Sequence, residues 1–132
     1  MKLSKILLLS ATAIVLTGIC LVSNSCGTRN RANWQDTLKV NTSALGADII
    51  GFNGPTPVEM LVSGGKIIEI KALPNQETPR FFQRVIDSGL LESLNGKTPA
   101  EARKTKLDAV SGATYSSEAI IKNIRLALDQ LQ

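Results

Sequence analysis

The chain is 132 residues long and 43% hydrophobic, enough for one small domain with a modest core and too apolar to be disordered by composition. Its net charge is +4, but Lys2 and Lys5 belong to the N-terminal leader; the other 13 Lys and Arg face 11 Asp and Glu, a scattered surplus of +2 that argues against nucleic-acid binding. There is no histidine, and the two cysteines are Cys20 and Cys26, so Ser-His-Asp and Cys-His catalysis, thiolate chemistry, Cys-ligated metals and a disulfide framework are all excluded from the domain that follows.

Residues 1–25 read as a targeting segment. Lys2 and Lys5 precede an uncharged run from Ile6 to Val22, and polar Ser23–Asn24–Ser25 closes it, the layout of a secretory leader. The run is also at the short end of what spans a bilayer, so an uncleaved anchor stays open. Cys26–Gly27 resembles the lipidated cysteine of a bacterial lipoprotein, with Ser23 standing where that signal usually has an aliphatic residue. The expectation is an exported, extracytoplasmic protein associated with the membrane of a bacterial cell envelope through a lipid or an N-terminal helix. Residues 26–43, polar and mixed in charge, read as a tether with a short helix near Trp34. Residues 44–132 form the domain.

Within it, Asp48–Phe52 is a short strand candidate, ended by Asn53–Gly54–Pro55. Pro57–Val62 and Ile67–Leu73 flank Ser63–Gly64–Gly65–Lys66 and read as a hairpin. An odd-length loop would put Val58, Met60, Val62, Ile68, Ile70 and Ala72 on one buried face, with Glu59, Glu69 and Lys71 in water. Thr78–Pro79 opens a helix with Phe81, Phe82, Val85 and Ile86 as its apolar stripe and Gly89 at its end. Thr98–Pro99–Ala100–Glu101 is a capping box that starts a second helix, running to about Lys104. Leu107–Val110 reads as a brief strand. The last helix begins at Tyr115 or Ser116 and buries Ile120, Ile124, Ala127, Leu128 and Leu131. The fold class is α+β, a small antiparallel sheet with helices packed on it.

The stretch Leu107–Ile121, LDAVSGATYSSEAII, concentrates hydroxyls at a helix N-terminus. Such a terminus leaves backbone N–H groups unpaired and carries partial positive charge, so it stabilises a phosphate. Gly112 and Ala113 would let one approach closely, and Ser111, Thr114, Ser116 and Ser117 offer hydroxyls. A plain N-cap accounts for one Ser or Thr equally well. The carboxylates are scattered, without EF-hand spacing, and any redox or hydrolytic chemistry here needs a borrowed cofactor.

Asp108–Ala109–Val110–Ser111–Gly112–Ala113–Thr114 resembles the flavinylation motif D-x-x-[ST]-G-A-T of the FMN-binding domain family, at every fixed position. That family includes subunits of the sodium-pumping NADH:quinone reductase and of the Rnf electron-transfer complex. The resemblance runs from about Ala44 to Leu131 and takes in Gly51–Pro57 and Gln76–Pro79. It implies an extracytoplasmic electron-transfer flavoprotein with FMN held covalently by a phosphoester to Thr114, a redox carrier more than a stand-alone catalyst. A flavin transferase would attach the group from FAD with Mg2+, and a membrane donor would supply electrons. Asp108 would be read by the transferase or shape the turn, and Glu77–Thr78–Pro79 would lie near the flavin ring. Phe52, Asn53 and Tyr115 are further candidates; for Phe52 and Tyr115 core packing is the alternative, and for Thr78 it is N-capping. Non-covalent FMN binding and a tethered interaction module without flavin remain as other readings.

Overall fold

The computed structural model describes residues 37–131. The chain divides into two units, Met1–Trp34 and Gln35–Gln132. The expected leader, the Cys26 modification and the helix near Trp34 lie outside the described residues, and the fold below is that of the second unit.

Three strands form one antiparallel sheet in the order β1-β2-β3, with β1 at Leu38–Asn41, β2 at Val58–Ser63 and β3 at Lys66–Ala72. β1 falls inside the segment expected to be a tether. Its single inward side chain, Val40, sits opposite Met60 while Leu38 is exposed, and an alternation of two apolar residues over four positions is too short to announce a strand. Thr42 then ties the strand end to β2: its N–H donates to the Val58 carbonyl at 3.0 Å, and its buried Oγ1 accepts from the Val58 N–H at 2.9 Å.

The hairpin closes on Gly64 and Gly65 with φ of 58° and 75°, the two-residue turn that needs left-handed backbone at both positions. The expected odd-length loop is therefore corrected, and with it one core residue. Val62 pairs with Ile67 and Leu61 with Glu69, so β3 carries an extra residue in a β-bulge. The bulge absorbs the odd spacing between Ile67 and Ile70, which are both buried, and sends Ile68 outward at 53% exposure. The freed backbone of Ile67 is used elsewhere: its N–H donates to Lys97 O and its carbonyl accepts from Gly96 N–H.

Helix α1 spans Pro79–Asp87, a 3-10 turn follows at Glu92–Leu94, α2 spans Pro99–Lys104 and α3 spans Thr114–Asp129. The capping box forms as its residue types dictate, with Thr98 Oγ1 accepting from Glu101 N–H and Glu101 Oε2 accepting from Thr98 N–H. α3 packs across β2, and α1 and α2 lie against α3. Ile120, Ile124, Ala127 and Leu128 of α3 join Val58, Met60 and Ile70 of the sheet in one core. Each fully buried aliphatic side chain there contributes about 1.5–3 kcal/mol.

Two expected strands are absent from the described residues. Asp48–Phe52 makes only an isolated bridge, Ile50 with Pro55, and Ile50 and Phe52 are exposed. Leu107–Val110 has no strand beside it; the Val110 N–H donates instead to Ser117 Oγ at 2.9 Å. No described helix is long and apolar enough to cross a membrane.

Candidate functional site

Three pieces of chain far apart in sequence meet at the N-terminal ends of α1 and α3: the turn Gly51–Gly54, the start of α1 and the start of α3. One buried side chain joins them. Glu77, only 6% exposed, accepts at Oε1 from the Asn53 N–H at 2.8 Å and the Gly54 N–H at 3.2 Å, and at Oε2 from the Ser116 hydroxyl. Burial alone raises a carboxylate pKa. Here the hydrogen bonds from Ser116 and from the backbone of Asn53, Phe52 and Gly54 outweigh it and hold Glu77 below its ordinary value. Gly51 makes the wrap possible, since a Cβ there would lie 2.8 Å from Glu77 Oε1. Asn53 Nδ2 donates to Thr78 Oγ1 at 2.9 Å. Thr78 thus occupies the N-cap position of α1, but its hydroxyl caps no N–H and is turned to Asn53.

Between these pieces lies a cleft of about 300 Å3, at the small end of ligand sites. It is lined by Phe52, Glu77, Thr78, Phe81, Gly112, Ala113, Thr114, Tyr115 and Ser116. The aromatic residues gather at its mouth. Phe52 and Tyr115 stand with ring centroids 6.4 Å apart, and they are 63% and 67% exposed, so neither packs in the core. Phe81, expected on the buried stripe of α1, is 40% exposed and lines the cleft too; Val85 is the residue of that stripe that is fully buried.

Thr114, Tyr115 and Ser116 bring the start of α3 into the cleft lining, and there the hydroxyl-rich stretch resolves into distinct tasks. The helix begins at Thr114, earlier than expected, and its N-cap is Ala113, which has no side chain to cap with. The plain N-cap reading of these hydroxyls therefore fails, and the terminal N–H groups of α3 stay without a side-chain cap. Ser116 is buried and spent on Glu77. Ser117 is buried and donates back to the Ala113 and Thr114 carbonyls. Thr114 is exposed, lines the cleft and makes no side-chain hydrogen bond among the described residues. Gly112 adopts φ of +79°, a conformation that favours glycine, and its missing Cβ leaves room for Arg84 Nη1, which a Cβ would meet at 2.3 Å.

The cleft thus brings together Phe52, Glu77, Thr78, Gly112, Ala113, Thr114, Tyr115 and Ser116 of the residues the sequence singled out. Asn53, Ser117 and three others lie outside its lining. Pro79 occupies the first position of α1. Ser111 is exposed beside the cleft. Asp108 borders a separate hollow and pairs with Lys106 at 3.1 Å. Sequence reasoning missed Phe81 and Arg84 as site residues. Both lie on α1 three residues apart, hence on one helix face, and the Arg84 Cζ lies 5.8 Å from the Phe81 ring centroid. Only that spacing hinted at a shared role.

A planar, mostly apolar ring suits the aromatic mouth, and an anionic group suits the uncapped start of α3 with small Gly112 and Ala113 beside it. Residues 51–129 match the sequence pattern of a known family, described as the FMN-binding domain. No curated protein matches the chain.

Proposed function

The chain belongs to the FMN-binding domain family, and from that premise we propose that it is an electron-transfer flavoprotein whose FMN is joined covalently to Thr114 by a phosphoester. The observation that carries the reading is the solitary status of Thr114. Among the described residues lining the cleft it offers the one aliphatic hydroxyl without a hydrogen-bond partner, because Thr78 and Ser116 are engaged with Asn53 and Glu77.

Bound FMN supplies one- and two-electron redox chemistry, which none of the domain's own side chains offers in the absence of His and Cys beyond residue 26. The chain's residues hold and shape. Phe52, Phe81 and Tyr115 give the ring an apolar wall, and Glu77 fixes the turn that carries Phe52. The start of α3 receives the phosphodiester with backbone N–H groups and partial positive charge.

Attachment needs an outside catalyst, since no histidine is present to deprotonate Thr114. A flavin transferase with Mg2+ would present FAD. Thr114 Oγ1 would attack the FMN-side phosphorus, the pyrophosphate bond would break with AMP leaving, and the hydroxyl proton would pass to a base outside this chain. Exposure of Thr114 supports such access. The leader over residues 1–25 supports export and membrane association, with electrons passing from a membrane donor to an extracytoplasmic acceptor. A covalent link suits that place, where a dissociated flavin would be lost.

The test is co-expression of the full chain with a flavin transferase, followed by intact mass and visible absorbance after denaturation. The expected result is a mass increase of one FMN unit, yellow colour retained in denaturant, and loss of both in Thr114→Ala. Colour released on denaturation would replace the covalent reading with reversible binding. Colourless protein from the flavinylating host would overturn the flavoprotein reading.

A further inference from the structure

Resting on the reading above, we infer that Arg84 is a phosphate-binding residue, the counter-charge for the phosphoryl group joined to Thr114. Two of the four arginines in this domain, Arg103 and Arg125, hold backbone carbonyls. Arg125 donates to the carbonyls of Ala102, Arg103 and Thr105, and Arg103 donates to the Leu128 carbonyl. The ion pairs of the described residues, Lys39–Glu59, Lys71–Glu69 and Lys106–Asp108, all use lysine. The exposed Arg84 side chain takes part in no ion pair or hydrogen bond among the described residues, and its two close neighbours are Phe81 and Gly112. Its guanidinium lies near the Phe81 ring, with Cζ 5.8 Å from the centroid, and its Nη1 lies against Gly112 at a spot that any Cβ would fill.

Gly112 is two residues from Thr114, and both line the cleft. An exposed guanidinium against that backbone is a positive charge with five donors, two residues along the chain from the hydroxyl that accepts the phosphoryl group. Arginine matches the paired oxygens of a phosphodiester better than lysine, because its planar fork can donate two parallel bonds. The diester carries one negative charge, and the positive end of α3 by itself offers about half a unit. Arg84 supplies the remainder from a different helix. The motif glycine therefore has a second use besides its positive φ: it leaves the gap through which α1 reaches the start of α3.

The balance of the attachment step shows when Arg84 acts. FAD brings two phosphodiester charges; attack by Thr114 Oγ1 distributes negative charge over the FMN-side phosphorus, and the product keeps one charge there while AMP carries two away and one proton is released. A cation beside Gly112 favours both the crowded phosphorus and the retained diester.

The experiment compares full-length wild type, Arg84→Ala, Arg84→Lys and the control Arg80→Ala, an exposed arginine of the same helix. Initial rates of flavinylation are followed by intact mass with transferase, FAD and Mg2+, and the 31P chemical shift of the attached diester is recorded after exhaustive reaction. Arg84→Ala is expected to slow attachment about tenfold, the scale of one charge-assisted hydrogen bond, and to move the 31P signal toward that of a free diester in water. Arg84→Lys should fall between, Arg80→Ala should match wild type, and melting temperatures should be unchanged. A rate within twofold of wild type together with an unmoved 31P signal in Arg84→Ala overturns the assignment of Arg84 and leaves Thr114 as acceptor. Equal effects of Arg80→Ala and Arg84→Ala overturn it as well, reducing it to net charge. Wild type that takes up no FMN overturns the parent reading instead.

Discussion

Glu77 is the residue on which the geometry of the cleft turns, and it acts through what it ties together. Its two oxygens take the Asn53 and Gly54 N–H groups on one side and the Ser116 hydroxyl on the other. Replacement by Gln keeps a carbonyl oxygen for the turn but sets an NH2 group against Ser116, which must then accept. We expect Glu77→Gln to cost about 1–3 kcal/mol at neutral pH, the usual loss when buried partners are left mismatched. The pH dependence has a definite sign. The folded pKa lies below the ordinary 4.5, so the unfolded chain binds the proton more readily. The contribution of Glu77 is complete above that value and is lost as the pH falls through the lower folded one. Urea unfolding from pH 7 downward should show wild type weakening once the pH passes below about 4.5, and Glu77→Gln should lose that part of the slope. Parallel curves for the two proteins would show that Glu77 is not the group responsible.

At the scale of elements, α2 illustrates how a short helix is held from outside. Six residues are too few to be stable alone. The capping box satisfies its N-terminus from within, as its sequence announces. Its C-terminal carbonyls are met by Arg125 of α3, which donates to Ala102 and Thr105 at 3.1 and 2.7 Å and to Arg103 at 2.7 Å. Arg125→Ala leaves these carbonyls without that donor and should lower stability by about 2 kcal/mol, seen as an earlier urea midpoint with an unchanged m-value. Arg125→Lys should recover only part, since an ammonium cannot spread donors over three carbonyls as the guanidinium fork does. A midpoint for Arg125→Ala equal to wild type would mean that water serves those carbonyls as well. The capping box could be read from four consecutive residues. The Arg125 contacts could not, because they span 20 to 23 positions and depend on how α3 crosses α2.

The same division runs through the whole molecule. Patterns confined to one stretch of chain were legible: the hairpin, both Pro-initiated helices, the apolar face of α3 and the run from Gly112 to Tyr115 that meets the cleft. What needed two distant stretches was not. The bulge that swaps Ile68 for Ile67 depends on the turn length and on the Gly96–Lys97 backbone. Phe81 and Arg84 became site residues only when α1 was set beside Gly112. β1 was overlooked for the same reason, since Leu38–Asn41 shows one inward apolar residue and becomes a strand through β2. This has a consequence for where the folded body starts. Val40 faces Met60 in the register, and Thr42 closes one backbone and one side-chain hydrogen bond with Val58, so β1 covers one edge of the central strand. A chain beginning at residue 44, the start suggested by sequence, would leave Val58 N–H and Met60 uncovered next to the packing surface of α3. A chain beginning at Gln35 keeps the edge. Both lack the same first 34 residues, so their difference isolates β1 and its connection. We expect the shorter chain to be less stable by about 3 kcal/mol or more, from one buried valine and the lost buried hydrogen bonds, and to show raised amide exchange along β2. Equal urea midpoints for the two would show that the β1 edge adds nothing, and the domain would then begin where its sequence pattern begins.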